Sequence, residues 1–383
     1  MIYLDNAATT NPKPESVRRA VSQTLLRFSV NSGRGSYSTA VSAAELIYSV
    51  REKAAAFFGE QNPERVIFTP NCTASLNYVL KGLLKPGDHC IVSSLEHNAV
   101  MRPLYALTKK GVTYSVAEAD FYDDAVTVNH FRQLIQPETR LIVCAHASNL
   151  LGLCLPVEAI GGLCREHGIT FAVDAAQTAG ILPLDVEKMN IDFLCVAPHK
   201  GLYAPMGTGI LIARQSLDTI LEGGTGTSSY CLEQPSDPPE RFESGTQNLP
   251  GIAGVGAGLD FVTAKTPERI YTHELGLVTA LYRRLANTPG VRLYTECPKM
   301  WHYAPVLAFN IGDMESSEVG EALNKAGFAV RTGLHCAPTA HRLIGTLRQG
   351  AVRVCPSAFT RQEDMSGFAR TVAWIALTVR KPR

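Results

Sequence analysis

No stretch of apolar residues approaches the roughly 20 that a membrane-spanning helix requires, and no run of five like charges occurs anywhere in the chain. The first absence argues against an integral membrane protein. The second, with 36 basic against 35 acidic side chains, removes the electrostatic grounds for a nucleic-acid or membrane-surface partner. Ten cysteines are present, but without a C-x-x-C pair or the Cys/His spacing of a zinc site. Nor does Met1-Ile2-Tyr3-Leu4-Asp5 open a basic-then-apolar signal region. Reduced cysteines and a cytoplasmic location are therefore expected. Internal repeats, low-complexity tracts and coiled-coil heptads are also missing. The 383 residues are expected to form one large domain and one smaller one rather than a string of modules, and the basic tail Arg380-Lys381-Pro382-Arg383 reads as a solvated end.

What is present is an alternation. From about Glu45 to Arg214, short β-branched runs (Arg65 to Thr69, Cys90 to Val92, Leu141 to Cys144, Thr170 to Val173, Phe193 to Val196) are separated by helical patterns at Thr73 to Leu84, Ala99 to Lys109 and Pro156 to His167. Strands spaced by helices of this length imply right-handed crossovers and a mostly parallel sheet covered on both faces. The fold class is α/β. One more strand is expected at Gly209 to Ala213. A glycine-rich helical stretch from Pro250 to Thr263 and a long helix around Pro267 to Asn287 then lead into a C-terminal α+β segment. This change of texture divides the chain into a large α/β domain, 15–258, and a small α+β domain formed by 1–14 and 259–383.

Ligands of an open parallel sheet sit beyond the carboxyl ends of its strands. The run ending at Val173 is followed by Asp174, and the run ending near Ala197 by Pro198-His199-Lys200-Gly201. A lysine that forms a Schiff base and an acid that keeps a pyridine nitrogen protonated are the two groups a pyridoxal cofactor needs; Lys200 and Asp174 fit those roles. Pro70-Asn71-Cys72-Thr73 leads from a strand into a helix, so its amides and the Thr73 hydroxyl form a phosphate site, although Thr73 would serve equally as a plain N-cap. His97 closes another strand and could lie flat on the cofactor ring. Near the C-terminus, Arg331-Thr332-Gly333-Leu334-His335-Cys336-Ala337-Pro338 sets a thiol in a tight loop beside an arginine and a histidine, whose positive charge would enrich the thiolate. Arg353, on the apolar run Ala351-Val352-Arg353-Val354, is costly to bury without an anion. A substrate carboxylate or an internal salt bridge would supply one.

Taken together these residues resemble the class V aminotransferase family of fold-type I pyridoxal-phosphate enzymes, specifically its cysteine desulfurase and selenocysteine lyase branch. The resemblance runs through Tyr3 to Thr10, Glu96-His97-Asn98, His146-Ala147-Ser148-Asn149, Val173 to Gln177, His199-Lys200-Gly201, Arg241 to Thr246 and Arg331 to Cys336. It implies a pyridoxal-phosphate transferase fold with a sheet of the seven-stranded type, and pyridoxal 5'-phosphate as cofactor. Lys200 is then the Schiff-base lysine, Asp174 the partner of the pyridine nitrogen, His97 the stacked ring and local acid/base, and Gln177 the partner of the phenolic oxygen. Cys72, Thr73 and His199 hold the phosphate, which Thr246 also reaches from the second subunit of a homodimer with shared active sites. Asn149, Arg353 and Arg331 take the substrate carboxylate, and Cys336 accepts sulfur from L-cysteine as a persulfide, leaving alanine.

The same resemblance leaves room for L-selenocysteine as substrate, or for another lyase or aminotransferase of this fold; a non-catalytic scaffold is the reading from a different class. Two departures stand out. Ala197-Pro198 replaces the hydroxyl residue and glycine usual before the His-Lys pair, removing a side-chain donor and an amide. Cys355 follows Arg353-Val354 where relatives more often have small or aromatic residues, as a second thiol near the site or a small core residue. The Cys336 loop, between Gly333 and Pro338, reads as short and stiff, so its sulfur would be collected at the pocket mouth by a small thiol or an acceptor protein.

Overall fold

A computed structural model describes residues 1–32, 35, 37–227 and 229–379; the tail 380–383 lies outside them. Seven strands, Val66–Thr69, His89–Ser93, Thr113–Ala117, Thr139–Ala145, Thr170–Asp174, Phe193–Val196 and Gly209–Ala213, form one sheet. From edge to edge its strands begin at Val66, Gly209, Phe193, Thr170, Thr139, His89 and Thr113. All neighbours are parallel except Gly209–Ala213, which runs against both strands beside it.

The strands read as unbroken apolar runs because each face has its own core. Val66, Phe68, Phe171, Val173, Leu194 and Ile210 pack on the face covered by helices Ser38–Phe57 and Leu249–Lys265. The alternate residues Ile67, Ala172, Phe193, Cys195 and Leu211 pack against helices Cys72–Leu83 and Asn98–Thr108. Thr113–Ala117 escapes sequence inspection for the opposite reason: it is an edge strand, solvent-facing along most of its length, with no apolar run to reveal it.

A second, antiparallel sheet contains Arg331–Gly333, Ala351–Val354, Leu307–Ile311 and Val291–Leu293 in that order. Its core joins Phe309, Val352 and Val354 to Leu281, Val319 and Phe368 from helices Pro267–Ala286, Ser316–Lys325 and Gln362–Val379. At the start of the chain, Ile2–Tyr3 pairs in parallel with Phe328–Ala329. We propose the division into 15–258 and 1–14 with 259–383 on this basis. Helix Pro267–Ala286 spans the two bodies, since Ile270 and Leu275 belong to the large core and Leu277 and Leu281 to the small one. Among the described residues no helix is long and apolar enough to cross a membrane.

Candidate active site

Strand Thr170–Asp174 ends on a buried acid. Asp174 Oδ1 accepts from the Ala176 amide at 2.9 Å and from the Cys72 thiol at 3.6 Å, which leaves Oδ2 for a further donor. Strand Phe193–Val196 runs out into the turn that carries Lys200. A Cβ on Gly201 would meet the Ala179 carbonyl oxygen at 2.3 Å, so this turn closes only around glycine. Burial pulls the Lys200 ammonium below its ordinary pKa, against the attraction of Asp174. Burial likewise pushes the Cys72 thiol up, with Asp174 adding repulsion. Lys200, Asp174, Cys72, Thr73, His97, Asn149, Gln177 and His199 line one cleft at the carboxyl ends of the strands.

His97 is the N-cap of helix Asn98–Thr108, its Nδ1 accepting from the Ala99 amide at 3.0 Å. A neutral ring therefore carries its proton on Nε2, and burial lowers its pKa to keep it neutral. At the neighbouring helix, Cys72–Leu83, the cap is Asn71, whose side chain accepts from the Ala74 amide at 2.9 Å. Thr73 is thus not the cap. Its hydroxyl, with the first-turn amides that lack intrahelical acceptors, is left for an anion. Gln177 Nε2 donates to the Ala7 carbonyl at 3.2 Å. His199 Nδ1 is a buried atom without a hydrogen-bond partner among the described residues, and burial, with Lys200 and Lys13 nearby, pushes the ring down to about 4. Ala197, the departure from the family pattern, lines the cleft as well.

The Cys336 loop bends through left-handed backbone at Gly333, His335 and Cys336, with φ of +98°, +49° and +56°. Two consecutive side-chain-bearing residues in that region are strained and are held by surrounding bonds. The Cys336 carbonyl accepts from the Asn98 amide at 2.8 Å, the His335 carbonyl accepts from Asn149 Nδ2 at 2.7 Å, and His335 Nε2 donates to the Ala351 carbonyl at 2.9 Å. Cys336 itself is exposed. One expectation is corrected here. Burial first, then Arg353, pushes His335 down to about 3, so it is a neutral, inward-turned ring and lends the thiol no positive charge.

Arg353 is 2 % exposed and does have an internal salt bridge: Nη2 donates to Asp5 Oδ1 at 2.8 Å and Nη1 to the Asn149 carbonyl at 2.9 Å. Its Nε is buried without a partner among the described residues. Arg331, exposed, stands directly opposite Arg353 in the antiparallel ladder. Like charges placed so repel, and an anion between them would relieve the repulsion. Cys355 is buried, as the reading of a small core residue requires, although Lys200 and Cys355 share a small cavity with Tyr203 and Glu274 behind the cleft. Thr246 does not line the Lys200 cleft; it borders another cavity with Arg51 and Glu243. Those two form a buried bidentate pair at 2.8 and 2.9 Å, and Glu243 also accepts from the Phe68 amide at 2.7 Å, fastening the Thr246 loop to strand Val66–Thr69.

Two buried acids escaped the sequence reading as charges to be explained. Glu96 accepts from the Ala145 amide at 2.8 Å and from the Ser93 hydroxyl; Glu274 accepts from the Tyr203 hydroxyl at 3.0 Å. Burial raises both from an ordinary 4.5 to about 8, so both are protonated at neutral pH. Each contributes stability that is complete below pH 4.5 and is lost as pH climbs through 8. One pKa unit is worth about 1.4 kcal/mol, so the loss amounts to several kcal/mol. The melting temperature is expected to fall across that interval, and a Glu96→Gln, Glu274→Gln double variant to show a flatter profile by calorimetry.

A pyridoxal phosphate fits these residues. Asp174 Oδ2 is available to a ring N–H, the unpartnered His199 Nδ1 and the start of helix Cys72–Leu83 suit a phosphate, and the desolvated amine of Lys200 suits a Schiff base. A mostly parallel seven-stranded sheet with a lysine, an acid and a histidine at its carboxyl edge defines a pyridoxal-phosphate transferase fold. The chain belongs to the aminotransferase class-V family, whose model matches residues 2–368. A probable cysteine desulfurase of Methanothermobacter thermautotrophicus is 32% identical, over 98% of this chain and 94% of that one. Among solved structures, the apo cysteine desulfurase of Thermococcus onnurineus NA1 superposes with a TM-score of 0.90 at 29% identity, covering 98% of this chain and 95% of that one. The cysteine desulfurase CsdA of Escherichia coli, in an S-sulfonic acid form, gives 0.87 at 27% identity, covering 98% and 94%.

Proposed function

We propose that the chain is a pyridoxal-phosphate-dependent cysteine desulfurase that converts L-cysteine to L-alanine and keeps the sulfur as a persulfide on Cys336. The observation that carries this reading is the docking of the Cys336 carbonyl on the Asn98 amide, 2.8 Å away, which fastens the loop bearing an exposed thiol to the residue after His97, itself part of the Lys200 cleft. When bound, the cofactor supplies an electron sink for the substrate carbanion. Asp174 would hold the ring nitrogen protonated, Gln177 would serve the phenolic oxygen and His97 would cover the ring. Cys72, Thr73 and His199 would take the phosphate, and in a homodimer Thr246, which borders a separate cavity, would reach the phosphate of the other subunit.

Arg353, Asn149 and Arg331 orient the substrate through its carboxylate. Lys200, its ammonium form disfavoured by burial, removes the α-proton, and His97 is the local acid and base. Cys336, as thiolate, attacks the substrate sulfur; the carbon–sulfur bond breaks and the three-carbon remainder leaves as alanine. Because three hydrogen bonds pin the loop, the persulfide is handed over where it forms, to a small thiol or an acceptor protein that comes to the pocket. Ten free cysteines suit a reducing, cytoplasmic setting.

The test is one equivalent of L-cysteine added to the cofactor-loaded protein without reductant. One alanine per active site and one added sulfur atom on the Cys336 peptide, read by mass spectrometry, are expected. Alanine with no sulfur on that peptide, or no alanine, overturns the reading.

A further inference from the structure

The first residues of the chain touch both halves of the site. Asp5 holds Arg353 Nη2 at 2.8 Å, and Asn6 donates from its backbone and side chain to the Cys355 carbonyl at 3.3 and 2.9 Å. Four residues on, the partners change to the lysine-bearing turn. The His199 carbonyl accepts from the Thr10 amide at 3.1 Å, the Thr9 hydroxyl at 3.1 Å, the Thr10 hydroxyl at 3.2 Å and Lys13 Nζ at 2.7 Å. The Lys200 carbonyl accepts from the Thr10 hydroxyl at 3.1 Å. Between these two anchor points the segment is braced on itself, since the Tyr3 hydroxyl donates to the Thr9 carbonyl at 3.0 Å and the Asn11 amide to Asn6 Oδ1 at 3.1 Å.

Four donor atoms crowd one carbonyl whose lone pairs take two well, the single Thr10 hydroxyl proton being shared between it and the Lys200 carbonyl, and Lys13 is half-desolvated to make one of these bonds, its pKa drawn down by burial to about 8. Simple anchoring of a chain start requires neither. Arg353, in turn, is pinned by single bonds from each Nη, which leaves Nε and the remaining Nη protons for an incoming carboxylate. We propose that Asp5 and Lys13 are positioning residues of one strap, Tyr3 to Lys13, which sets the separation of Arg353 from the Lys200 turn. An α-amino acid then binds with its carboxylate on the arginine and its α-carbon at the amine. This inference rests on the carboxylate-binding role proposed above for Arg353.

The two ends of the strap are expected to fail differently. Asp5→Asn weakens L-alanine binding, titrated through the absorbance of the bound cofactor, by about ten- to a hundredfold, the worth of a charged hydrogen bond, and raises KM for L-cysteine alike while kcat changes little. Lys13→Met leaves alanine affinity within about twofold but slows exchange of the alanine α-proton with deuterated solvent about tenfold, as expected for a misplaced general base. Asp5→Glu and Lys13→Arg restore most of each loss. Arg353→Lys is the separate control. If it weakens alanine binding and Asp5→Asn does not, the strap proposal alone is overturned; if neither weakens binding, the carboxylate role of Arg353 fails with it. Losses in binding and exchange that track each other in both variants, or that the conservative replacements do not rescue, reduce the strap to an anchor and overturn the proposal.

Discussion

Replacing Cys336 by alanine is expected to lower kcat/KM for L-cysteine by at least about a thousandfold, because the sulfur then has no nucleophile to leave for. The cofactor spectrum and the affinity for L-alanine should stay as they are, since the loop is fastened through backbone carbonyls and His335 and Cys336 is exposed. L-Selenocysteine makes the result sharper. Its weaker carbon–selenium bond lets selenium leave at the zero oxidation level without Cys336, and a reducing thiol added to the assay takes it on to selenide, so the variant should still consume it. A variant that keeps normal cysteine turnover would remove Cys336 from the mechanism and point to a different lyase on the same frame. Assaying alanine from both substrates in parallel separates these outcomes.

Much of this was legible in the sequence because parallel strands buried on both faces must be continuously apolar, and the polar residues that end them then stand out. Asp174 and Lys200 were found in that way, and the cleft contains both. Asp5 was visible but mute: it lies in the Tyr3 to Thr10 motif, yet nothing local shows that it meets Arg353, 348 residues away. The demand that a buried arginine find an anion was the one signal that pointed to such a partner. His335 misled, because proximity in sequence to Cys336 suggests a positive neighbour whereas the fold turns the ring inward to Ala351. Thr73 read as either a phosphate ligand or a plain N-cap, and the backbone gives the cap to Asn71, which the sequence reading did not single out. Thr246 was reached only through the family resemblance, since within one chain it borders a different cavity from Lys200.

Lys200→Ala is expected to have the other large effect, a fall in kcat of at least about a thousandfold, because in the proposed mechanism one residue both anchors the cofactor and moves the α-proton. The environment explains why a lysine serves here. Burial lowers its pKa while Asp174 pulls it back, which favours the proton-accepting amine relative to an exposed lysine. Lys200→Arg keeps the charge but loses the deprotonable amine and should be as inactive as alanine, which separates a base from an electrostatic anchor. A small primary amine added to Lys200→Ala is expected to recover part of the α-proton exchange of L-alanine, with a dependence on pH that follows the added amine rather than the protein. Recovery in the arginine variant without added amine would show instead that charge at this position suffices, and the proton transfer would have to be reassigned to His97, which lines the same cleft.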